Sequence, residues 1–172
     1  MMAKTIGFIN QKGGVGKTTS TINVARYLAE FGKRVLLVDL DPQGNASSGL
    51  GIDPRAMSKN LYHAMVGGLP PQEIIIQTDT ENFHVIPAAQ DLAGAEIEMI
   101  HLEGREYRLQ SVLRQIKPYY DFILIDSPPS LGLLTINGLV ASDEVVIPVQ
   151  TEYYALEGLS QLLGTIELVR ER

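Results

Sequence analysis

Short apolar runs alternate with helically spaced ones along most of the 172-residue chain. Residues 5–10, 35–38, 83–87, 122–125 and 145–149 read as short, largely apolar strands, the pattern of strands buried on both faces. Ile22, Ala25, Leu28 and Ala29 form a stripe at helical spacing, which predicts a helix over 18–31 ended by Gly32. Further helices are predicted over 61–66, 71–76, 91–102 with Asp91 as cap, 104–117 and 133–140. A last one carries Leu156, Leu159, Leu163, Ile166 and Val169 up to Arg172. Residues 42–60, with their prolines, glycines, serines and Asn45, read as a connection containing one short turn. Strands alternating with helices predict an α/β domain, a mostly parallel sheet with helices on both faces. Such sheets bind ligands at the carboxyl ends of their strands. Asn10, Asp39 and Asp126 all fall at that end.

Between the first strand and the first helix lies Gln11-Lys12-Gly13-Gly14-Val15-Gly16-Lys17-Thr18-Thr19. Glycine accepts positive φ and lets other groups approach its backbone closely. A run of glycines feeding a helix N-terminus aims several N–H groups into one concavity, where the helix dipole also favours an anion. Lys17 adds a mobile positive charge there, and the Thr18 hydroxyl suits a magnesium ion bridging phosphates. The pattern fits a nucleotide triphosphate tail. Three glycines at set positions arise by chance in roughly three of ten thousand windows at average usage. A purely structural turn would need neither Lys17 nor Thr18. The loop departs from the usual phosphate loop at Gln11, where a glycine is customary, and in the additional Lys12. The dinucleotide pattern G-x-G-x-x-G is not met, because Thr19 stands where its last glycine should be.

A hydrophobic content of 45% with 20% charged residues is that of an ordinary globular chain, and the length is that of one domain. The net charge of −6 excludes a generally basic surface, so any nucleic-acid contact must be a local patch. With no cysteine there are neither disulfides nor thiolate metal sites. His63, His84 and His101 lack metal-ligand spacing and read as structural or surface residues. No secretory signal is visible and no run approaches the roughly 20 apolar residues of a membrane helix, so a cytoplasmic protein is expected.

The Lys12–Thr19 arrangement resembles the deviant Walker A loop of the ParA/MinD ATPases. Two later stretches, Asp39-Leu40-Asp41-Pro42-Gln43-Gly44-Asn45 and Asp126-Ser127-Pro128-Pro129-Ser130-Leu131-Gly132, make the chain similar to the ParA/Soj partition proteins in particular. Val149-Gln150-Thr151-Glu152-Tyr153-Tyr154 is in the same style, and the similarity runs along nearly the whole chain. It implies a P-loop NTPase fold, ATP and Mg²⁺ as cofactors, and hydrolysis to ADP and phosphate. The nucleotide-binding residues would be Lys12, Gly13, Gly14, Val15, Gly16, Lys17, Thr18 and Thr19. Lys17 would contact the β- and γ-phosphates and Thr19 would adjoin the α-phosphate. Thr18 would bind Mg²⁺ directly, and Asp126, the Walker B acid, would hold it through water. Asp41, in the first switch segment, would position the attacking water and accept hydrogen bonds from metal-bound waters. Asp39 would either assist the metal or cap the strand end. Residues 42–45 and 128–132 would sense the γ-phosphate, ordering around it and relaxing after its loss. Lys12 would reach across a two-fold interface to the partner's nucleotide, as an arginine finger does in trans.

By the same resemblance, the partners would be a second copy in an ATP-dependent homodimer, non-specific DNA, and a ParB/Spo0J-like DNA-bound stimulator, at the nucleoid and without a membrane. DNA affinity resting on phosphate contacts should fall steeply with salt. Arg105, Arg108, Arg114 and Lys117 form no clean helical stripe. Proteins of this type continue past the position of Arg172, so a single domain lacking its C-terminal part, with adenine contacts and much basic surface beyond Arg172, is expected. One alternative is a MinD-like membrane-positioning ATPase, yet the last helix carries Glu157 and Glu167 and little basic charge. Another is a metabolic phosphate-transfer enzyme, which would need a further cluster of titratable residues that does not stand out. No Asn-Lys-x-Asp motif for guanine is present.

Overall fold

A computed structural model describes residues 3–53, 56–151 and 155–171, with the side chains of residues 155–157 outside the description. Glu152, Tyr153, Tyr154 and Arg172, and the side chains of Leu156 and Glu157, therefore lie outside the described residues. The chain opens with β1 (Lys4–Phe8), α1 (Lys17–Glu30), β2 (Val35–Asp39), α2 (Asn45–Gly49) and α3 (Leu61–Met65). There follow β3 (Ile76–Gln77), β4 (Phe83–Ile86), α4 (Leu92–Met99), α5 (Arg108–Arg114) and β5 (Phe122–Asp126). It ends with α6 (Leu133–Ala141), β6 (Glu144–Val146) and α7 (Ala155–Arg170). The strands form one sheet in the order β3-β4-β2-β5-β1-β6. All neighbours are parallel except β3, which pairs antiparallel with β4.

Side chains alternate across a strand, so strand parity decides which helix each residue meets. Val35 and Leu37 of β2, Leu124 of β5, Phe8 of β1, and Phe83 and Val85 of β4 point to one face, where they pack on Ala25 and Ala29 of α1. Two alanines at the contact let the α1 backbone come close to the sheet. Leu36 and Val38 of β2 and Ile123 and Ile125 of β5 point to the other face and meet α3, α4, α5 and Leu134 of α6. A third cluster joins Ile9, Leu139 and Leu162, with Ile166 and Val169, and so fixes α7 beside α6. Asp39 and Asp126 share the parity of Leu37 and Leu124, and they are paired in register. Both carboxylates therefore emerge at the strand ends on the α1 face.

The expected strands and the main helices are present, with differences that have local causes. Residues 71–76, predicted as a helix, make only the 3-10 turn Pro71–Ile74 and then enter β3. A two-residue strand carries no periodicity and could not be read from the sequence. It is held by a tight hairpin in which Asn82 takes φ 60° and Gln77 Nε2 donates to the Thr80 and Phe83 carbonyls at 2.9 and 3.1 Å. Asp91 does not cap α4 with its side chain; its carboxylate accepts from Asn60 Nδ2 at 3.2 Å instead. The stretch 104–117 divides into a 3-10 turn, Arg105–Tyr107, and α5. β6 stops at Val146, and the Pro148 carbonyl beyond it accepts from Asn10 Nδ2 at 2.8 Å. The connection 42–60 contains α2, one short helix opened by Gly44 at φ 66°.

Candidate functional site

The loop between β1 and α1 is shaped by two left-handed glycines, Gly14 at φ 74° and Gly16 at φ 90°. Gly16 is the N-cap of α1, which has no side-chain cap and no acid in its first turn. Helix N-termini leave their first N–H groups without intrahelical partners. Here nothing on the side chains of the cap competes for them, so they remain available to an anion. The loop is pinned from outside: Lys12 N donates to Asn10 Oδ1 at 2.9 Å and Gln150 Nε2 to the Gly14 carbonyl at 3.0 Å. Gln11, the departure from the usual loop, sends its amide back to the Gly158 carbonyl of α7 at 3.0 Å.

Lys17 is 7% exposed and its Nζ donates to the Lys12 carbonyl at 3.1 Å. Burial pulls its pKa down, opposed by the negative charges of Asp126 and Asp41. Asp126 is fully buried, and its pKa is pushed up to about 7, first by burial and then by Asp39 and Asp41, against the Thr18 hydroxyl bond and Lys17. Its Oδ1 accepts from Thr21 Oγ1 at 3.4 Å, a hydroxyl that also bonds the Lys17 carbonyl at 2.8 Å. Its Oδ2 is buried with no hydrogen-bond partner. Asp41, 6% exposed, accepts the Gln43 amide at 2.9 Å, so its carboxylate is oriented by its own turn.

Asp39 has a different environment. Its Oδ2 accepts from Ser47 N at 2.8 Å and Ser47 Oγ at 2.7 Å, and its Oδ1 from Asp41 N at 3.3 Å. Burial raises its pKa to about 6, partly offset by the Ser47 bonds. Of the two roles open to Asp39, this geometry favours the strand-end cap: it fixes α2 and the turn that carries Asp41. Three buried acids around one lysine hold a negative excess when ionised, and an orphan carboxylate oxygen among them suits a hydrated divalent cation. Among the described residues no three His, Cys, Asp or Glu side chains converge to ligate a metal directly.

The structure thus brings Lys17, Thr18, Asp41 and Asp126 together under the glycine loop, while Lys12, Gly13, Gly14 and Thr19 line its exposed outer rim. Val15 is buried beneath the loop. Sequence reasoning missed Thr21 and Gln150. Thr21 lies three residues after Thr18 on the same helical face, a signal that was legible. Gln150 reaches the loop only through the tertiary fold. His84 is packed edge-on against Tyr120 with ring centroids 5.6 Å apart, and burial lowers its pKa, in keeping with a structural role.

The family model described as "AAA domain" matches residues 3–172. The chain is 58% identical over 170 residues to the sporulation initiation inhibitor protein Soj of Bacillus subtilis, covering 99% of this chain and 67% of that protein. It is 52% identical over 170 residues to the chromosome partitioning protein ParA of Myxococcus xanthus, covering 99% and 60%. Among solved structures, cobyrinic acid a,c-diamide synthase of Mycobacterium smegmatis with bound ATP analog and magnesium superposes with a TM-score of 0.94. That match has 41% identity over 98% of this chain and 67% of the other. The chain therefore spans 60–67% of the length of these proteins. A family model matched from residue 3 onward, and more than half of all aligned residues shared with Soj and ParA, mean that the chain belongs to the ParA/Soj family of partition ATPases.

Proposed function

We propose that the chain is the nucleotide-handling part of an ATP-driven dimerisation switch for chromosome or plasmid partitioning. Mg-ATP joins two subunits face to face and hydrolysis releases them. The ATP-bound dimer binds DNA non-specifically, and a ParB/Spo0J-like protein on DNA stimulates turnover, at the nucleoid in the cytoplasm. The observation that carries this reading is the contrast between two lysines on one loop. Lys17 is buried between Asp41 and Asp126, inside its own subunit's site, whereas Lys12 sits on the exposed rim beside Gly13. Gly13 has no internal need to be glycine: its φ is not positive, and a Cβ there would meet only Pro129 at 3.9 Å. A bare backbone at the rim suits the close approach of a second subunit.

In this scheme the loop amides and Lys17 bind the phosphates, and Thr18 with Asp126 (through water) holds magnesium, which when bound neutralises phosphate charge. Asp41, oriented by the Gln43 amide, accepts a hydrogen bond from the attacking water. Lys12 of the partner subunit adds positive charge to the transferring phosphoryl group.

Two other readings find less support. Part of the apolar side of α7, which a lipid-binding helix would need, is packed, with Leu162 buried and Ile166 and Val169 against its cluster, although Leu163 and Leu168 are exposed. No described helix is long and apolar enough to cross a membrane. A biosynthetic role would need a substrate pocket with an acid or base of its own, in addition to Asp41 and Asp126. A cavity that touches the phosphate loop, about 210 Å³ and lined among the described residues by Asn10, Gln11, Lys12, Val15, Val149, Gln150 and Gly158, has Lys12 as its one titratable side chain there.

Sedimentation of the full-length protein with Mg-ATP, with ADP and without nucleotide tests the proposal. Wild type should dimerise only with ATP. Lys12→Ala should keep ADP affinity yet stay monomeric, and Asp41→Ala should dimerise without turnover. An ATP dimer of Lys12→Ala as stable as wild type would remove the cross-subunit role.

A further inference from the structure

The geometry points to Glu96 of α4 as a positioning residue for ATP turnover, one that sets the 128–132 loop against the phosphate loop. This rests on the partition-switch reading and adds to it a residue outside every motif of the sequence. Glu96 Oε1 accepts the backbone N–H of Leu134, in the first turn of α6, at 3.1 Å. That helix has no side-chain cap and no acid of its own, so a carboxylate from another helix satisfies its N-terminus. Gly132 makes room for it: a Cβ there would stand 2.4 Å from the same Oε1. From the other side, Thr135 Oγ1 donates to the Ser130 carbonyl at 2.7 Å. The base of the loop is thus held at two points, and its Pro129 is the neighbour of Gly13.

α4 is also tied to the segment that follows β2. Ala88 N, on the approach to α4, donates to Ser47 Oγ at 3.0 Å, and Ser47 holds Asp39. Asp91 takes the Asn60 amide at 3.2 Å, and Tyr62 OH donates to Glu98 Oε2 at 2.8 Å. α4 therefore meets the end of the 128–132 loop at Gly132 and Leu134, while the residues leading into it bond Ser47, the side chain that holds Asp39. Glu96 touches no nucleotide-binding residue, so its removal should spare ADP binding and affect what depends on the third phosphate.

The test compares Glu96→Ala, Glu96→Gln and Gly132→Ala in the full-length protein. Glu96→Ala should speed hydrogen exchange at the Leu134 amide and lower kcat by roughly tenfold, with ADP affinity within about twofold of wild type. The preference for a non-hydrolysable ATP analogue over ADP should shrink. Glu96→Gln, which keeps an acceptor oxygen, should restore all three. Gly132→Ala, which displaces the carboxylate, should match Glu96→Ala, and the double variant should be no worse than either alone. Unchanged Leu134 exchange, a wild-type kcat in Glu96→Ala, or equal loss of ADP affinity and kcat would each overturn the assignment. A wild-type protein without ATP turnover would instead sink the partition-switch reading, while the analogue-to-ADP ratio and Leu134 exchange would still decide Glu96.

Discussion

Ser47 shows how one small side chain governs the acids above it. Its hydroxyl donates to Asp39 and accepts from Ala88 N, and it is fully buried. Removing it strands the buried Ala88 N–H, at about 1–3 kcal/mol, and takes from Asp39 Oδ2 one of its two bonds, at about 1 kcal/mol more. Ser47→Ala should therefore lower the stability of the nucleotide-free protein by roughly 2–4 kcal/mol in chemical denaturation, and a loss below about half a kcal/mol would show that water replaces both bonds. At this scale the sequence was informative where chemistry is dictated by type and spacing: Lys17, Thr18 and Asp126 stand where the glycine loop and a buried strand end put them. It was silent on Ser47 and Glu96. A serine in a polar connection and a glutamate on a surface helix look alike whether solvated or buried against a backbone N–H.

α1 is bounded by two left-handed glycines with unlike duties. Gly32, at φ 75°, ends the helix, its N–H bonding the Ala29 carbonyl at 2.8 Å while Lys33 N reaches Leu28 at 3.1 Å. A Cβ there meets nothing within 4 Å. Gly32→Ala should thus cost about 1–2 kcal/mol of left-handed strain and leave ADP affinity unchanged. Gly16→Ala carries similar strain at φ 90°, but the conformation it disturbs aims the loop amides, so ADP affinity should fall at least about tenfold. Denaturation curves and ADP titration calorimetry separate the two effects; equal affinity losses would mean the loop conformation is not specific to binding. The stripe and Gly32 made this helix legible in the sequence. β3 and the division of 104–117 were not, because two or three residues carry no period.

Across the whole molecule, buried carboxylates shape the pH response. Asp39 and Asp126 have pKa values raised from 3.8 to about 6 and about 7, both chiefly by burial. The folded state therefore holds protons that the unfolded chain has released, and stability falls as pH rises from about 4 to about 7. His84, its pKa lowered by burial, acts the other way below its ordinary value, one group against two. Asp121 is held down at about 2 by the hydrogen bonds of Arg34, and its contribution is lost only as pH falls below about 4. The nucleotide-free protein should then melt at a higher temperature near about pH 5 than near about pH 8. A melting temperature that is flat or rises over that range would contradict the burial assigned to these acids.

Taken alone, the sequence determined the parallel α/β plan, the phosphate loop and the strand ends that carry Asp39 and Asp126. Each of these is written in a local period or in a residue type whose backbone freedom or charge has few other uses. Only the tertiary structure decided which acid is structural, that Gln150 and Gln11 brace the loop, and that Glu96 of α4 bonds the first turn of α6. Those are contacts between groups far apart in the chain, and their partners are common polar residues that become specific only when burial removes water as the alternative.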